Sequence, residues 1–169
     1  MTCSSTSDFC LDDDDSIGSL GKYPNEADVR GITVRNCTLT RTENGIRIKT
    51  WPGSPPSAAS RLVFNDIVMN NVKRPITIDQ NYNPHNNNKQ TAPSRVKISN
   101  VHYANIRGTS TSFEAVSLVC SRRVPCEMIQ MKNINLRYIG SPGNGPITST
   151  CLNTHRLVYE GIQIPPACK

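Results

Sequence analysis

A parallel β-helix is the fold class this sequence predicts, and three observations point to it. Asn, Ser, Thr, Val and Ile are abundant, a bias toward strands and turns. No stretch sustains apolar residues at i, i+3, i+4 and i+7, which excludes long amphipathic helices. Five segments repeat one alternating apolar pattern at a period of about thirty residues.

In chain order, the first fifteen residues, MTCSSTSDFCLDDDD, hold five of the thirteen acids, Asp8 and Asp12 to Asp15. Mutual repulsion makes 1–15 an expected disordered segment, and it has no apolar core of the kind a signal peptide needs. The structured body is expected over 16–169. Its repeat copies are ITVRNCTL (32–39), LVFNDIVM (62–69), VKISNVHY (96–103), IQMKNINL (129–136) and LVYEGIQI (157–164). They align on Asn36, Asp66, Asn100, Asn133 and Gly161, spaced by 30, 34, 33 and 28 residues. A second strand follows most copies: GIRIKT (45–50), PITIDQ (75–80) and AVSLVC (115–120), with an echo in GPITSTC (145–151). Coils stacked one on the next satisfy this pattern, with apolar ladders inside and flat faces outside. A propeller or sandwich needs hairpins between neighbouring strands. The single Asn44-Gly45 pair follows a polar stretch and starts a strand instead. The central amides are expected to be architectural, bonding turn backbone and their counterparts in adjacent coils.

Charge and cysteine content narrow the function classes. From Ser16 onward there are 19 basic and 8 acidic residues, a net charge of about +11, so the surface attracts polyanions. The basic residues are scattered and form no nucleic-acid motif, so nucleic acid is not an expected partner. No segment is long and apolar enough to span a bilayer as a helix, and no membrane partner is expected. Seven cysteines indicate an oxidising compartment. Cys120 with Cys126, and Cys151 with Cys168, bracket short segments without the spacing of a zinc site, so disulfides are expected there. Cys37 falls within a repeat strand and reads as a buried free thiol. Cys3 and Cys10 remain unassigned.

Three stretches carry a resemblance to the polygalacturonase family, glycoside hydrolase family 28. SIGSLGKY (16–23) is similar to the segment after the family's Gly-His-Gly motif. GIRIKT (45–50) resembles its Arg-Ile-Lys strand, and ITIDQNY (76–82) its tyrosine-bearing strand and turn. NIRGTSTSFEAVSLVCSRRVPC (105–126) resembles the plant branch, especially the exo-acting enzymes. The resemblance implies a right-handed, pectin-lyase-like β-helix, secretion to the cell wall, hydrolysis of α-1,4-galacturonosyl bonds of pectin, and no cofactor or metal.

The residues themselves carry part of that chemistry. Alternation turns Ile46 and Ile48 inward, and Arg47 and Lys49 outward together. Arg47 offers a planar fork to a sugar carboxylate and Lys49 a point charge. In-register stacking puts Thr77 and Asp79 beside them, and the competing structural reading is a plain Lys49–Asp79 surface bridge. Tyr82 follows the next strand and can pack on a pyranose ring. The substrate-binding set is therefore Arg47, Lys49 and Tyr82.

No catalytic residue is assigned. The family inverts with two carboxyl groups carried in Asn-Thr-Asp and Asp-Asp motifs upstream of Gly-His-Gly. The sequence is expected to start too late for either, and it reads SSTSDFCLDDDD where Gly-His-Gly should precede Ser16. His85, His102 and His155 match no catalytic position, and Asp79 shows no second acid nearby. The expectation is a chain truncated at its N-terminal end, inactive alone, able to self-associate through an exposed coil. The alternative is a non-catalytic pectin-binding solenoid. Asn83 and the Asn86 to Asn88 run stand where the family carries a cysteine pair, so loop 83–92 is expected to be mobile.

Overall fold

The computed structural model describes the backbone of residues 2–5 and the whole of 16–84, 92–141 and 146–168. Every regular element among the described residues is a strand. The expected parallel β-helix is what forms, with about five turns.

Seven strands make one long, bent sheet: β1 (Thr2–Ser5), β3 (Val29–Arg30), β4 (Thr33–Thr40), β6 (Ser57–Val72), β8 (Val96–Ser110), β10 (Cys126–Tyr138) and β12 (Thr154–Ile164). Five make the other: β2 (Ser16–Leu20), β5 (Asn44–Thr50), β7 (Arg74–Asp79), β9 (Glu114–Val119) and β11 (Thr148–Leu152), stacked in the order β2-β5-β7-β9-β11. All pairings are parallel except one. Thr2–Ser5 belongs to the segment expected to be disordered, yet β1 lies antiparallel on β4. The Asp12 to Asp15 run lies outside the described residues.

The core is a set of ladders. Ile17, Ile48, Ile78, Leu118 and Cys151 are successive register partners up the five-stranded sheet, and Ile46, Ile76 and Val116 form a second row. Across the interior, Val34, Phe64, Tyr103, Met131 and Tyr159 form a matching column, with the Phe64 and Tyr103 rings stacked 5.3 Å apart. Parallel stacking brings like residues together, so alternation in one strand becomes a dry stripe across five.

The bends have a local cause. Two columns of left-handed backbone, five residues apart, recur in every coil, and the first two coils turn a third time at Arg41 and Asn71. One column is Gly31, Arg61, Asn100, Met128 and Arg156; the other is Asn36, Asp66, Asn105, Asn133 and Gly161. Asn, Asp and Gly tolerate positive φ best, and the second column uses only these. Its side chains also bond between coils: Asn105 Nδ2 donates to Asn65 Oδ1 at 3.3 Å, and Asn133 Nδ2 to Asn105 Oδ1 at 3.2 Å. At Gly161 a Cβ would collide with Asn133 Oδ1.

These columns correct the repeat alignment. Asn105, not Asn100, is the partner of Asp66 and Asn133, and the true spacings are 30, 39, 28 and 28 residues. The slip is five residues because alternation looks the same on both sides of a corner, and Asn100 occupies the other column.

Candidate functional site

The site begins with alternation on β5. Ile46 and Ile48 are fully buried, while Arg47 and Lys49 lie on the outer face, half-buried. Register pairs Arg47 with Thr77 and Lys49 with Asp79, as stacking predicts. The ion pair, however, runs diagonally: Arg47 Nη2 meets an Asp79 carboxylate oxygen at 3.4 Å, and Asp79 also accepts the Asn81 backbone N–H at 3.0 Å. The Lys49–Asp79 bridge does not form, and Lys49 has no carboxylate partner among the described residues.

Tyr82 brings the three predicted residues together. The Arg47 guanidinium carbon lies 4.9 Å and Lys49 Nζ 5.3 Å from its ring centre. Trp51 meets the same ring edge-on at 5.4 Å, and its indole N–H donates to Ser19 Oγ at 2.9 Å. Two cations against one aromatic ring are held by its quadrupole but repel each other, an arrangement that favours a nearby anion. Arg47 Nε and Thr77 Oγ1 are both buried without a hydrogen-bond partner among the described residues.

A buried polar clamp positions this corner. Gln80, fully buried just beyond β7, donates from Nε2 to Val96 O at 2.8 Å and accepts the Ser121 N–H at 3.0 Å. Thr50 Oγ1 donates to Ser94 Oγ at 2.7 Å, and Ser121 Oγ to Ser94 O at 2.6 Å. The loops after β5, β7 and β9 are thereby tied to the start of β8, and the Tyr82 backbone N–H donates to Thr50 O at 3.3 Å.

A small cavity of about 190 Å³ opens beside Arg47, lined by Arg74, Thr77, Asp79, Glu114 and Ser117 among others. Glu114 thus lines the same cavity as Asp79, a second acid where the sequence predicts none. The signal was present: Glu114 immediately precedes the third copy of the second strand.

The other expectations divide. Cys120–Cys126 and Cys151–Cys168 are disulfides. Cys37 is buried but disulfide-bonded, not a free thiol; its partner falls outside the residues whose side chains are described. A stack of strands hides a bonded sulfur as readily as a thiol, so burial alone could not distinguish them. His102 is a surface residue hydrogen-bonded to Gln130 at 2.8 Å, and His155 is exposed. His85 and most of loop 83–92 lie outside the described residues.

Comparison with known proteins agrees with this architecture. The chain is 51% identical over 150 residues to an exopolygalacturonase of Platanus acerifolia, covering 89% of the chain and 39% of that protein. It is 50% identical over 153 residues to an exopolygalacturonase of Oenothera organensis, covering 90% and 41%. A polygalacturonase of Gossypium hirsutum is also 50% identical over 153 residues, covering 90% and 37%. The chain thus spans about two-fifths of the length of these relatives. The model of glycosyl hydrolases family 28 matches residues 15–161, and the chain belongs to that family.

Proposed function

We propose that this chain supplies the sugar-carboxylate-binding face of a pectin hydrolase that cleaves α-1,4-galacturonosyl bonds. The observation that carries the reading is the convergence of Arg47 and Lys49 on the Tyr82 ring. Arg47 presents a fork to a galacturonate carboxylate, Lys49 adds a point charge, and Tyr82 packs against the sugar and bonds a hydroxyl. Exo-action is the preferred mode, on the exopolygalacturonase likeness. Secretion to the cell wall fits the disulfides, which persist in oxidising compartments.

The acid and base of an inverting mechanism are not assigned to this chain. Asp79 is already engaged by Arg47 and the Asn81 N–H, so it serves to orient the guanidinium. The purified chain therefore binds de-esterified oligogalacturonate and releases no reducing ends from it. Replacing Arg47 and Lys49 together by Ala lowers the affinity about tenfold or more, read by calorimetry at low salt. Unchanged affinity in that variant would remove the sheet face from the reading, and robust release of reducing ends would overturn the division of labour.

A further inference from the structure

The loops beyond the C-terminal ends of β7 and β9 build a second cationic feature, separate from the sheet face. A cavity of about 570 Å³ is lined by Arg95, Arg122 and Arg123, with Gly53, Ala92 and Pro93. That volume is in the range that accepts small ligands. It adjoins a cavity of about 380 Å³, with which it shares Ala92, Pro93 and Arg122. The second cavity adds the amide side chains of Asn81, Asn83 and Asn153.

The arginines stand on a braced platform. The Cys120–Cys126 bridge closes the loop that carries Arg122 and Arg123, and Asn153 Nδ2 holds Cys120 O at 3.0 Å. Arg95 donates from Nε to Ser54 O at 2.9 Å, and its backbone N–H goes to Ser54 Oγ at 2.8 Å. Ser121 Oγ reaches Ser94 O, so the loop of Arg122 is tied to that of Arg95. None of the three guanidiniums has a carboxylate partner among the described residues. Three like charges held around one cavity repel each other, and an anionic ligand relieves that repulsion.

We infer that this cavity binds carboxylate groups of a polyuronate chain, as a second acidic-sugar site beside the one at Arg47, Lys49 and Tyr82. The inference rests on the galacturonan reading above. Planar guanidiniums match carboxylates in two-point contacts, and the neighbouring amides suit sugar hydroxyls. The described lining has no aromatic ring on which a nucleobase could stack, which favours a sugar over a nucleotide.

The test is calorimetry of the intact chain with galacturonate oligomers of increasing length, and with inorganic phosphate at matched ionic strength. The Arg122→Ala/Arg123→Ala variant loses about tenfold or more in affinity for the longer oligomers, with an unchanged melting temperature. Arg122→Lys/Arg123→Lys, which keeps charge but not the fork, recovers part of the loss. If only the Arg47→Ala/Lys49→Ala variant weakens binding at every length, this inference is overturned and the galacturonan reading stands. If only the Arg122/Arg123 pair matters, this site stands and the sheet-face reading falls. An unmodified chain that binds no oligomer overturns both. Phosphate that displaces the oligomer at equal concentration overturns the sugar assignment.

Discussion

Along β5, Ile46 and Ile48 are wholly buried, while Arg47 and Lys49, one residue away in each case, reach the surface. The same contrast holds on β7, where Ile76 and Ile78 point inward and Asp79 outward. Inward residues gain by leaving water and by contacts with like neighbours above and below. Outward residues gain little from folding, and some pairs repel. The lesson is that strand alternation separates the core residues from the proposed binding residues at single-residue resolution. A change on one face should leave the other nearly untouched.

The largest expected break is Ile48→Ala. Ile48 sits mid-ladder between Ile17 and Ile78, so the gap has packed neighbours on both sides and cannot easily collapse. The expected loss is about 2–5 kcal/mol in denaturant unfolding. Oligogalacturonate affinity of the folded fraction should stay unchanged; a large affinity loss would erase the separation of faces.

Next in size is an inward polar exception. Tyr103 is fully buried, its hydroxyl has no hydrogen-bond partner among the described residues, and burial pushes its pKa well above the ordinary phenol value. Tyr103→Phe keeps the stack on Phe64 and removes the orphan hydroxyl, so stability at neutral pH should rise by about 1 kcal/mol. The native chain holds this proton at pH values where the unfolded chain has lost it. Stability from this group is therefore full below about pH 10 and falls as pH rises beyond, by up to about 1.4 kcal/mol per pH unit. The Phe variant should lack this share of the alkaline loss. An identical alkaline slope in both proteins would place the sensitivity elsewhere.

The smallest expected stability effect is outward. Lys49→Ala removes no ion pair and should shift unfolding by no more than about 0.5 kcal/mol while it weakens sugar binding. A destabilisation comparable to that of Ile48→Ala would show that the charged face holds the coils together.

This separation also explains what could be read from the sequence. The ladders were legible because a period of two survives stacking unchanged. The convergence of Arg47, Lys49 and Tyr82 on one outer face was legible because they sit on or just after such strands. The corner columns were only half legible, since the alternation on each side let Asn100 stand in for Asn105. Glu114 was overlooked because strand patterns are read from apolar residues. The arginine cavity left no periodic trace: Arg95, Arg122 and Arg123 come from loops of different coils, brought together only by three-dimensional stacking.

The uneven third spacing has a wider consequence. Between Asp66 and Asn105 the chain travels 39 residues where later turns use 28, yet β6 and β8 keep one register from Ser57 paired with Val96 to Met69 paired with Gly108, with a shift only before Val72. The extra length falls in the sequence between β7, which ends at Asp79, and β8, which starts at Val96, a stretch that carries Tyr82 and Arg95. A scaffold of this kind can lengthen or shorten one rim without disturbing its spool. Ligand preference can then diverge by loop exchange while the windings remain the same.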